Sequence, residues 1–512
     1  MGYFLGIDNG GTMVKAVLFD PDGAALAGAS RKLPMLVPEP GFTERDMEQL
    51  WQSNAQVIRE AIERAGIDPV AIQGVAVTGH GKGLYLWGRD QRPVGHGIVS
   101  TDTRAWAYPA RWAQDGTAAR VFPRTCQSIL ACQPVSLLCW LREHRPGLLD
   151  RVQWIFACKD YIRFRLTGEA FAETTDYSGS SLMNLRERRF EPELLAEFGL
   201  EGLFSALPPL RDATELCGAV SAEAALATGL RAGTPVAGGM FDIDACAVAM
   251  DVTDERRLCV IAGTWGINEY LAREPVLDGS VLMNSLFCLP GYFLVEESSP
   301  TSAGNNEWFI DTFMGEEKAA AAAQGVPVYP LVNALAAQVA PDGQDIVFLP
   351  FLYGSNYDPR AKACLVGLES GHGRAEVVRA VFEGIAFTHL VHVEKLLRNR
   401  ARPEAVRLAG GAAKSPVWAQ IFADVFELPV ETVETEELGT LGCAMAAAVA
   451  TGACPDLAAA AQRMVRTKAR IQPDPAASAI YRRKYQQYKQ VVAALAPLWA
   501  NYGQPAAAAR VS

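Results

Sequence analysis

Short apolar runs separated by polar turns along the first 33 positions predict three short strands. The segments 3–8 and 13–19 are rich in β-branched and other apolar residues, and each ends at a turn composed of Gly, Asn, Asp or Pro. A third strand is predicted over residues 24–33. The first turn contains Asn9-Gly10-Gly11, so the three segments predict an antiparallel meander whose first hairpin is unusually rich in glycine.

A helix is predicted after this meander. Asp46 suits the N-cap position, and Gln49 follows three residues later as a capping-box partner. Apolar residues then recur at helical spacing, at Leu50, Trp51, Ile58, Ala61, Ile62 and Ala65. A β-branched strand over residues 72–77 comes next and leads into the polar, glycine-rich loop 78–83.

A similar order returns in the second half of the chain. A charged break over residues 251–257 precedes a predicted strand, 258–262, which runs into Gly263-Thr264-Trp265-Gly266. This second strand-to-glycine turn indicates a weak internal duplication. Since 512 residues exceed what one core usually serves, we predict two domains, 1–252 and 253–500. Helices are predicted over 413–428, 438–451 and 476–497, and a flexible, Ala-rich tail over 501–512.

Composition narrows the functional classes. Half of the residues are apolar and a fifth are charged, which is ordinary for a globular protein. The net charge of −10 argues against a nucleic-acid partner, because binding phosphate backbones needs a basic surface. No signal peptide or membrane-spanning stretch is evident, so we expect a soluble cytoplasmic enzyme. The eleven cysteines are scattered without zinc spacing and are expected to be reduced, mostly buried thiols.

The first candidate group for chemistry lies around the first hairpin. Its residues are Asp8, Gly10, Gly11, Thr12 and Lys15. Glycines in a hairpin let backbone N–H groups approach phosphate oxygens without a Cβ in the way. A carboxylate at the end of a strand can hold Mg²⁺ through water. The same residues fit a plain Asn-Gly hairpin equally well.

Two further glycine turns extend this pattern. Gly263 and Thr264 follow the strand 258–262, while Gly410 and Gly411 follow a predicted strand over 406–409. Ser415 suits the N-cap of the next helix, with Pro416 at its first position. Each turn alone is an ordinary corner. Together they predict a geometry in which two domains close over a nucleotide, although no Walker-type loop and no protein-kinase motif is present.

Candidate acceptor-side residues lie in the first half. Asp242 follows Gly238-Gly239 at the end of a strand predicted from Thr234, and it could accept a proton from an acceptor hydroxyl. Local sequence leaves Asp244 as an equal candidate. Two polar loops, 78–82 and 100–104, offer hydrogen-bonding groups for a polyol. The side chains proposed there are His80, Lys82, Asp102 and Arg104.

Taken together, these motifs resemble the FGGY family of carbohydrate kinases, within the actin/hexokinase/Hsp70 superfamily. The likeness spans residues 3–495 and includes Gly6-Ile7-Asp8, Gly263–Gly266, 408–418 and a helix signature over 379–387. It implies a two-domain α/β, ribonuclease H-like fold with a cleft between domains. It also implies ATP and Mg²⁺ as cosubstrate and cofactor, a small-molecule sugar as substrate, a possible homodimer, and Asp242 rather than Asp244 as the base.

Within that family the sequence is most similar to L-xylulose (3-keto-L-gulonate) kinases, on segments such as 81–84 and 299–305. The resemblance implies a ketopentose phosphorylated at its terminal hydroxyl. His80 departs from the Gln expected in that subgroup and leaves D-xylulose or a related pentulose open.

A kinase for ribulose, erythritol or glycerol and a regulator without turnover remain open from the sequence. A shorter sugar-kinase class with a similar opening motif is disfavoured, because its members are much shorter and commonly carry a Cys-rich zinc motif that this chain lacks. A non-catalytic actin-like ATP-binding module is disfavoured as well, because Asp242, Asp102 and Arg104 are all present.

Overall fold

We describe the protein from a computed structural model, which covers residues 2–355, 358 and 360–502. The predicted tail residues from 503 onward, including 505–510, lie outside these described residues. The strands of the first half are β1 (Tyr3–Asn9), β2 (Met13–Phe19), β3 (Ala25–Lys32), β4 (Glu44–Arg45), β5 (Ile72–Gly79), β6 (Tyr85–Gly88), β7 (Gly97–Ile98), β8 (Val152–Phe156), β9 (Ala172–Glu173), β10 (Met183–Asn184), β11 (Arg189–Phe190), β12 (Leu210–Arg211), β13 (Leu216–Ala219), β14 (Pro235–Ala237) and β15 (Met240–Phe241). Those of the second half are β16 (Arg257–Ala262), β17 (Gly266–Ala272), β18 (Met283–Leu286), β19 (Phe293–Ser299), β20 (Val347–Leu349), β21 (Cys364–Val366), β22 (Ala405–Gly410), β23 (Val430–Val433) and β24 (Thr467–Ile471).

Helices connect and cover these strands. In the first half they are α1 (Met47–Ala65), α2 (Ala107–Gln114), α3 (Thr117–Thr125), α4 (Pro134–His144), α5 (Cys158–Thr167), α6 (Thr174–Ser178), α7 (Pro192–Ala196), α8 (Ala222–Thr228) and α9 (Asp242–Ala249). In the second half they are α10 (Gly304–Phe313), α11 (Gly315–Ala323), α12 (Tyr329–Ala337), α13 (Arg374–Leu397), α14 (Pro416–Phe426), α15 (Leu438–Ala450), α16 (Leu457–Met464) and α17 (Pro475–Trp499). Short 3₁₀ turns cover Pro69–Ala71, Leu149–Arg151, Glu201–Ala206 and Ala412–Lys414.

Two seven-stranded mixed sheets form the framework, and they share one topology. In the first sheet the order runs β13-β14-β5-β1-β2-β3, with β15 also paired to β5. In the second it runs β18-β19-β17-β16-β22-β23-β24. In each sheet an antiparallel meander of three strands is followed by two strands added parallel to its first strand. The internal duplication predicted from the glycine turns is therefore confirmed at the level of sheet topology, and the two-domain α/β fold is confirmed with it.

Most predicted elements are found within one or two residues of their expected ends. Asp46 caps α1 by accepting the backbone N–H of Gln49, so Gln49 contributes its main chain to the cap. The helix predicted over 413–428 is shorter, because a 3₁₀ turn occupies 412–414 and Glu427 ends α14 in the left-handed region with φ 55°. The strand predicted from Thr234 is interrupted at Gly238-Gly239, and the second piece, β15, delivers Asp242 to the start of α9.

One helix from the second half of the chain packs against the first sheet. Helix α15 packs on β1, β5 and α9. The approach at β1 is so close that a Cβ on Gly6 would lie 1.9 Å from the carbonyl oxygen of Thr440. At the crossing with α9, a Cβ on Gly442 would lie 2.4 Å from the carbonyl oxygen of Ala245. Glycine at both positions lets the backbones meet, and the apolar residues around α9 and α15 form a core shared by both halves. No described helix combines the length and the apolar character needed to cross a bilayer.

Candidate active site

Two carboxylates lie at one edge of the first sheet. Strands β1 and β15 both run parallel to β5, so their carboxyl ends meet at the same edge, where ligands of open α/β sheets commonly bind. Asp8 and Met240 are both in register with Thr78, whose Oγ1 donates to the Met240 carbonyl oxygen at 2.7 Å. Asp242 follows β15 directly. Asp8 and Asp242 therefore flank the end of β5.

The structure separates the two candidate bases. Asp242 is the first residue of α9 and is partly exposed. Asp244 is fully buried, and its Oδ1 accepts the backbone N–H of Cys288 at 2.9 Å. Burial raises the pKa of Asp244 well above its ordinary range. Asp244 therefore lies in the core between the two halves, and Asp242 is the carboxyl group at the open edge of the sheet.

The two edge carboxylates have raised pKa values. The pKa of Asp242 rises from 3.8 to about 7, first because the site is desolvated and then because Asp8 carries a like charge, against the opposing effect of Lys82. Burial also raises the pKa of Asp8 to about 6, against the lowering effect of Lys15. A carboxyl group with a pKa near 7 suits proton transfer at neutral pH.

Hydrogen bonds to buried polar groups hold the first glycine turn, residues 10–12, and the preceding Asn9 in place. The Asn9 carbonyl oxygen accepts the His80 N–H at 3.0 Å, and the Asn9 Oδ1 accepts the Asn54 Nδ2–H at 2.7 Å. The guanidinium of Arg45 donates to the carbonyl oxygens of Gly11 at 2.6 Å and Gly10 at 3.4 Å. Sequence reasoning missed Arg45, because in sequence it is only one member of the charged triplet 44–46.

The second and third glycine turns meet at the matching edge of the second sheet. Ala262 and Gly410 are opposite each other in the parallel pair β16–β22. Gly410 has φ +83°, and a Cβ there would lie 2.3 Å from the Ala262 carbonyl oxygen, which also accepts the Gly411 N–H at 2.9 Å. Gly263 borders the same point, and Thr264 is exposed beside it. No Cβ fits at Gly410, whereas Gly263 and Gly411 have room for one, so the close backbone packing is confined to Gly410. Nucleotide binding at these turns stays a prediction.

Ser415 begins the helix that follows the third turn. Its Oγ accepts the Trp418 N–H at 3.2 Å, which confirms Ser415 as the N-cap of α14 with Pro416 at the first position. The side chain is buried and used in this cap, so the sequence signal identified a local structural role. Any contact between Ser415 and a nucleotide stays a prediction.

The segment before α15 links the glycine turns of the two halves. Glu437 pairs with Lys15 at 3.2 Å on the first hairpin, and Glu436 pairs with Lys414 at 2.6 Å beyond the third turn. A Cβ on Gly439 would lie 2.7 Å from Asp8 Oδ2, so the N-terminus of α15 adjoins that carboxylate. The first and third glycine turns thus border a common space.

His80 is held inside the protein. Its Nδ1 donates to the Gly81 carbonyl oxygen at 3.3 Å, so Nε2 accepts from the Tyr85 hydroxyl at 2.9 Å. Burial lowers the pKa of His80 to about 3, and Arg45 adds to this lowering. A neutral ring with both nitrogens engaged shapes the loop, and a direct sugar contact by His80 stays a prediction.

Asp102 and Arg104 are paired with each other. Arg104 donates to both Asp102 carboxylate oxygens and to Glu44 at 2.8 Å, while Asp102 also accepts the Thr43 N–H at 2.7 Å. The guanidinium carbon lies 4.1 Å from the centre of the Phe42 ring. These contacts use most of the polar capacity of the pair. They fasten the 99–104 loop to the segment that carries Glu44 and Arg45.

Lys82 faces the acidic edge of the first sheet. It adopts a left-handed conformation with φ 62°, and its amine lies 5.5 Å from the centre of the Phe241 ring. A small cavity beside it is lined by Asp176 and Ser180 among others. Asp176 is 3% exposed, and its Oδ2 has no hydrogen-bond partner among the described residues. Asp176 was missed from sequence, because the polar run 174–178 carries no recognisable spacing.

The residues present fit a magnesium ion whose ligands are mostly water and substrate phosphate oxygens. No cluster of three or more His, Cys, Asp or Glu side chains suited to a metal exists within residues 2–355, 358 and 360–502. Asp8 and Asp242 lie at one edge of the sheet, and burial raises the pKa of both, so a cation bound there would favour their charged forms. Mg²⁺ keeps several waters and is commonly bound by one or two carboxylates plus substrate phosphates, which agrees with this arrangement.

The architecture and the site define a class: a two-domain α/β kinase of the actin-like superfold, with glycine turns from both sheets around an acidic edge. Comparison with known proteins specifies this further. Residues 3–249 match the N-terminal domain, and residues 258–451 the C-terminal domain, of the FGGY family of carbohydrate kinases. The chain therefore belongs to this family, whose members use ATP to phosphorylate a sugar hydroxyl.

Individual relatives cover almost the whole chain. The sequence is 37% identical to the L-xylulose/3-keto-L-gulonate kinase of Escherichia coli K12, over 96% of this chain and 97% of the relative. It is 36% identical to a "Probable L-xylulose kinase" of Pasteurella multocida, over 97% and 99% respectively. The crystal structure of xylulose kinase from Rhodospirillum rubrum superposes with a TM-score of 0.86 at 27% identity, covering 98% of this chain and all of the other.

Proposed function

We propose that the protein transfers the γ-phosphoryl group of ATP to the terminal hydroxyl of a ketopentose, xylulose in its L or D form, with Asp242 as general base. Asp242 carries this proposal. Like Asp8, it is a partly exposed carboxyl group at the edge where three strands end, and its pKa of about 7 suits a proton acceptor near neutrality. The relatives that support xylulose are the two L-xylulose kinases and the xylulose kinase structure.

On the sugar side, Lys82 and Asp176 line one small cavity and offer a cation and a carboxyl oxygen that accepts no hydrogen bond from a described residue, although Lys159 lies 4.0 Å from that oxygen. Such groups can hold polyol hydroxyls in fixed directions. The two polar loops, 78–82 and 100–104, are held in place by hydrogen bonds of His80, Asp102 and Arg104. These three residues would therefore act indirectly, by keeping Lys82 and Asp176 in position. Asp242 would orient the hydroxyl for in-line attack and take its proton.

On the nucleotide side, Gly10, Gly11, Thr12 and Lys15 would face the phosphates from the first sheet, with Gly263 and Thr264 facing them from the second. Gly410 and Gly411 would support the adenosine, beside Ser415. Mg²⁺ bound near Asp8 through water would neutralise phosphate charge. Lys15 would have to exchange its Glu437 partner for a phosphate, which the partial exposure of both side chains permits. The domain boundary near residue 252 and a homodimer stay predictions.

A substrate panel tests the acceptor. Purified protein with Mg²⁺ and ATP is offered L-xylulose, D-xylulose, ribulose, erythritol and glycerol, and ADP release is followed with a coupled assay. We expect the highest kcat/KM for one of the two xyluloses. Activity confined to glycerol or erythritol would overturn the ketopentose proposal while leaving the kinase class intact.

The raised pKa of Asp242 predicts a pH dependence. Only the carboxylate can accept a proton, so kcat/KM for the sugar should rise as the pH increases through about 7 and then level off. The measurement is a rate profile from pH 5.5 to 8.5 at fixed ionic strength and saturating ATP. A profile that is flat below pH 7 would argue against Asp242 as the base.

A further inference from the structure

Arg45 is a buried cation beneath the first glycine turn. It lies in β4 immediately before the N-cap of α1, and only 1% of the residue is exposed. Its guanidinium donates to the carbonyl oxygens of Gly11 and Gly10, at 2.6 and 3.4 Å. Both partners are neutral, and Arg45 Nε has no partner in the described part of the chain. Nor does Arg45 form a salt bridge with any described residue.

A buried guanidinium without a carboxylate is unfavourable for the folded protein by itself. Buried charges are normally paired, because desolvation of an ion costs several kcal/mol. The other deeply buried arginine of this half, Arg163, follows that rule and lies 2.8 Å from Asp160. The charge of Arg45 also reaches the neighbouring loop, where it adds to the lowering of the His80 pKa. The position of Arg45 therefore calls for an anion that residues 2–355, 358 and 360–502 do not supply.

The two hydrogen bonds of Arg45 fix the direction of two peptide groups. In a trans peptide, the carbonyl of one residue and the N–H of the next point in opposite directions. Because the carbonyls of Gly10 and Gly11 point toward Arg45, the N–H groups of Gly11 and Thr12 point away from it. Neither N–H has a backbone partner within the described residues, and a Cβ on Gly11 would meet nothing within 4 Å. The two donors thus lack backbone partners among these residues, and the space beside Gly11 is open.

We propose that Arg45 is a positioning residue for the nucleotide phosphates. It holds the Gly11 and Thr12 N–H groups toward the phosphate chain, and the bound phosphates balance its charge. This inference rests on the placement of the phosphates at the first glycine turn in the proposed function. Arg45 acts through the backbone of the turn, and its effect therefore falls on phosphate binding and not on adenosine or sugar.

The test is to measure by calorimetry how tightly ADP and adenosine bind to the wild type, to Arg45→Met and to Arg45→Lys. Because hydrogen bonds to charged groups contribute about 1.5–3 kcal/mol, we expect Arg45→Met to weaken ADP by about 10- to 100-fold. Adenosine should bind as it does to the wild type. Arg45→Lys keeps the charge without the two-carbonyl contact and should weaken ADP by a smaller factor. The melting temperature of ligand-free Arg45→Met should stay at or above that of the wild type.

Arg59→Met is the matched control. Arg59 also donates to two consecutive carbonyls, Leu226 at 2.5 Å and Ala227 at 2.9 Å, but it is exposed on α1 away from the glycine turns. The affinity of Arg59→Met for ADP should equal that of the wild type. Equal affinity of Arg45→Met for ADP, or an equal loss for ADP and adenosine, would overturn the inference.

If Arg45→Met does not fold, Arg45→Lys is used instead. Wild-type ADP affinity in that variant, or an equal loss of affinity for ADP and adenosine, would overturn the inference. The outcome is also separable from that of the sugar proposal. Wild-type protein that binds ADP but phosphorylates no ketopentose would reject the proposed acceptor and leave the Arg45 inference standing. If the wild-type protein binds ADP no more tightly than adenosine, the Arg45 inference itself is rejected.

Discussion

Replacement of Asp242 by asparagine is expected to lower kcat by about 10²- to 10⁴-fold, the usual contribution of a general base. Asparagine keeps the shape of the side chain but cannot accept the hydroxyl proton. The affinity for ADP should change little, because the glycine turns are untouched. The measurement is steady-state kinetics on the best sugar of the panel, together with ADP binding. Turnover close to that of the wild type in a folded variant would show that Asp242 is not the base.

The same variant should be at least as stable as the wild type at pH 8. The pKa of Asp242 is raised from 3.8 to about 7 in the folded state, so the native protein retains a proton that the unfolded chain has lost. Stability therefore falls as the pH rises through this window, and at pH 8 the full penalty is present. Asparagine does not ionise and removes the penalty. A large loss of activity without a loss of melting temperature would mark a functional carboxylate.

Asp244→Asn provides the matched control two residues away. The Asp244 Oδ1 accepts the Cys288 N–H, and an asparagine oxygen can do the same. Because Asp244 is fully buried in the core, its replacement should leave kcat within a few-fold of the wild type. A drop in turnover as deep as that of Asp242→Asn, with the melting temperature unchanged, would reverse the assignment of the two carboxylates.

Gly6→Ala is expected to reduce the free energy of unfolding by about 3 kcal/mol or more, at the upper end of overpacking effects. The new Cβ would lie 1.9 Å from the Thr440 carbonyl oxygen, and backbone on both sides leaves it no room. Helix α15 would have to move away from β1, which would also displace Gly439 from Asp8. The measurement is thermal and urea unfolding of the purified variant, with soluble yield as a second indicator.

Gly11→Ala is the control for this prediction. A Cβ on Gly11 meets nothing within 4 Å, and its φ is not in the left-handed region. Its melting temperature should therefore match that of the wild type, whatever happens to nucleotide binding. If Gly6→Ala unfolds at the same temperature and urea concentration as Gly11→Ala, then the close packing of α15 on β1 does not hold the two halves together.

Local signals in the sequence predicted much of the framework. Short apolar runs bounded by turn residues located the meander, and helical spacing located α1, because these patterns depend only on neighbouring residues. Asp46 and Ser415 were recognised as N-caps for the same reason, since a cap bonds to a backbone group three residues away. The three glycine turns were located in the same way, and the likeness of the second turn to the first indicated the duplicated topology.

Functional candidates were harder to rank, because their surroundings come from distant parts of the chain. Asp102 and Arg104 looked like free polar groups in sequence, yet they pair with each other, and Arg104 also pairs with Glu44, 60 positions earlier. The long-range pairing of Lys15 with Glu437 spans 422 positions and could not be expected from local pattern. Asp176 and Arg45 were missed for the same reason.

By itself, then, the sequence predicted the opening meander, the strands that lead into the glycine turns, four of the helices and the two N-caps, all of which depend on residues a few positions apart. Its family resemblance added the class of reaction. The resemblance also implied Asp242 rather than Asp244, but only the tertiary structure put Asp242 at the open edge and Asp244 in the core, and only it placed Arg45 under the first glycine turn. The physical reason is that desolvation and charge pairing depend on which distant segments meet, and two carboxylates two residues apart look alike until those segments are in place.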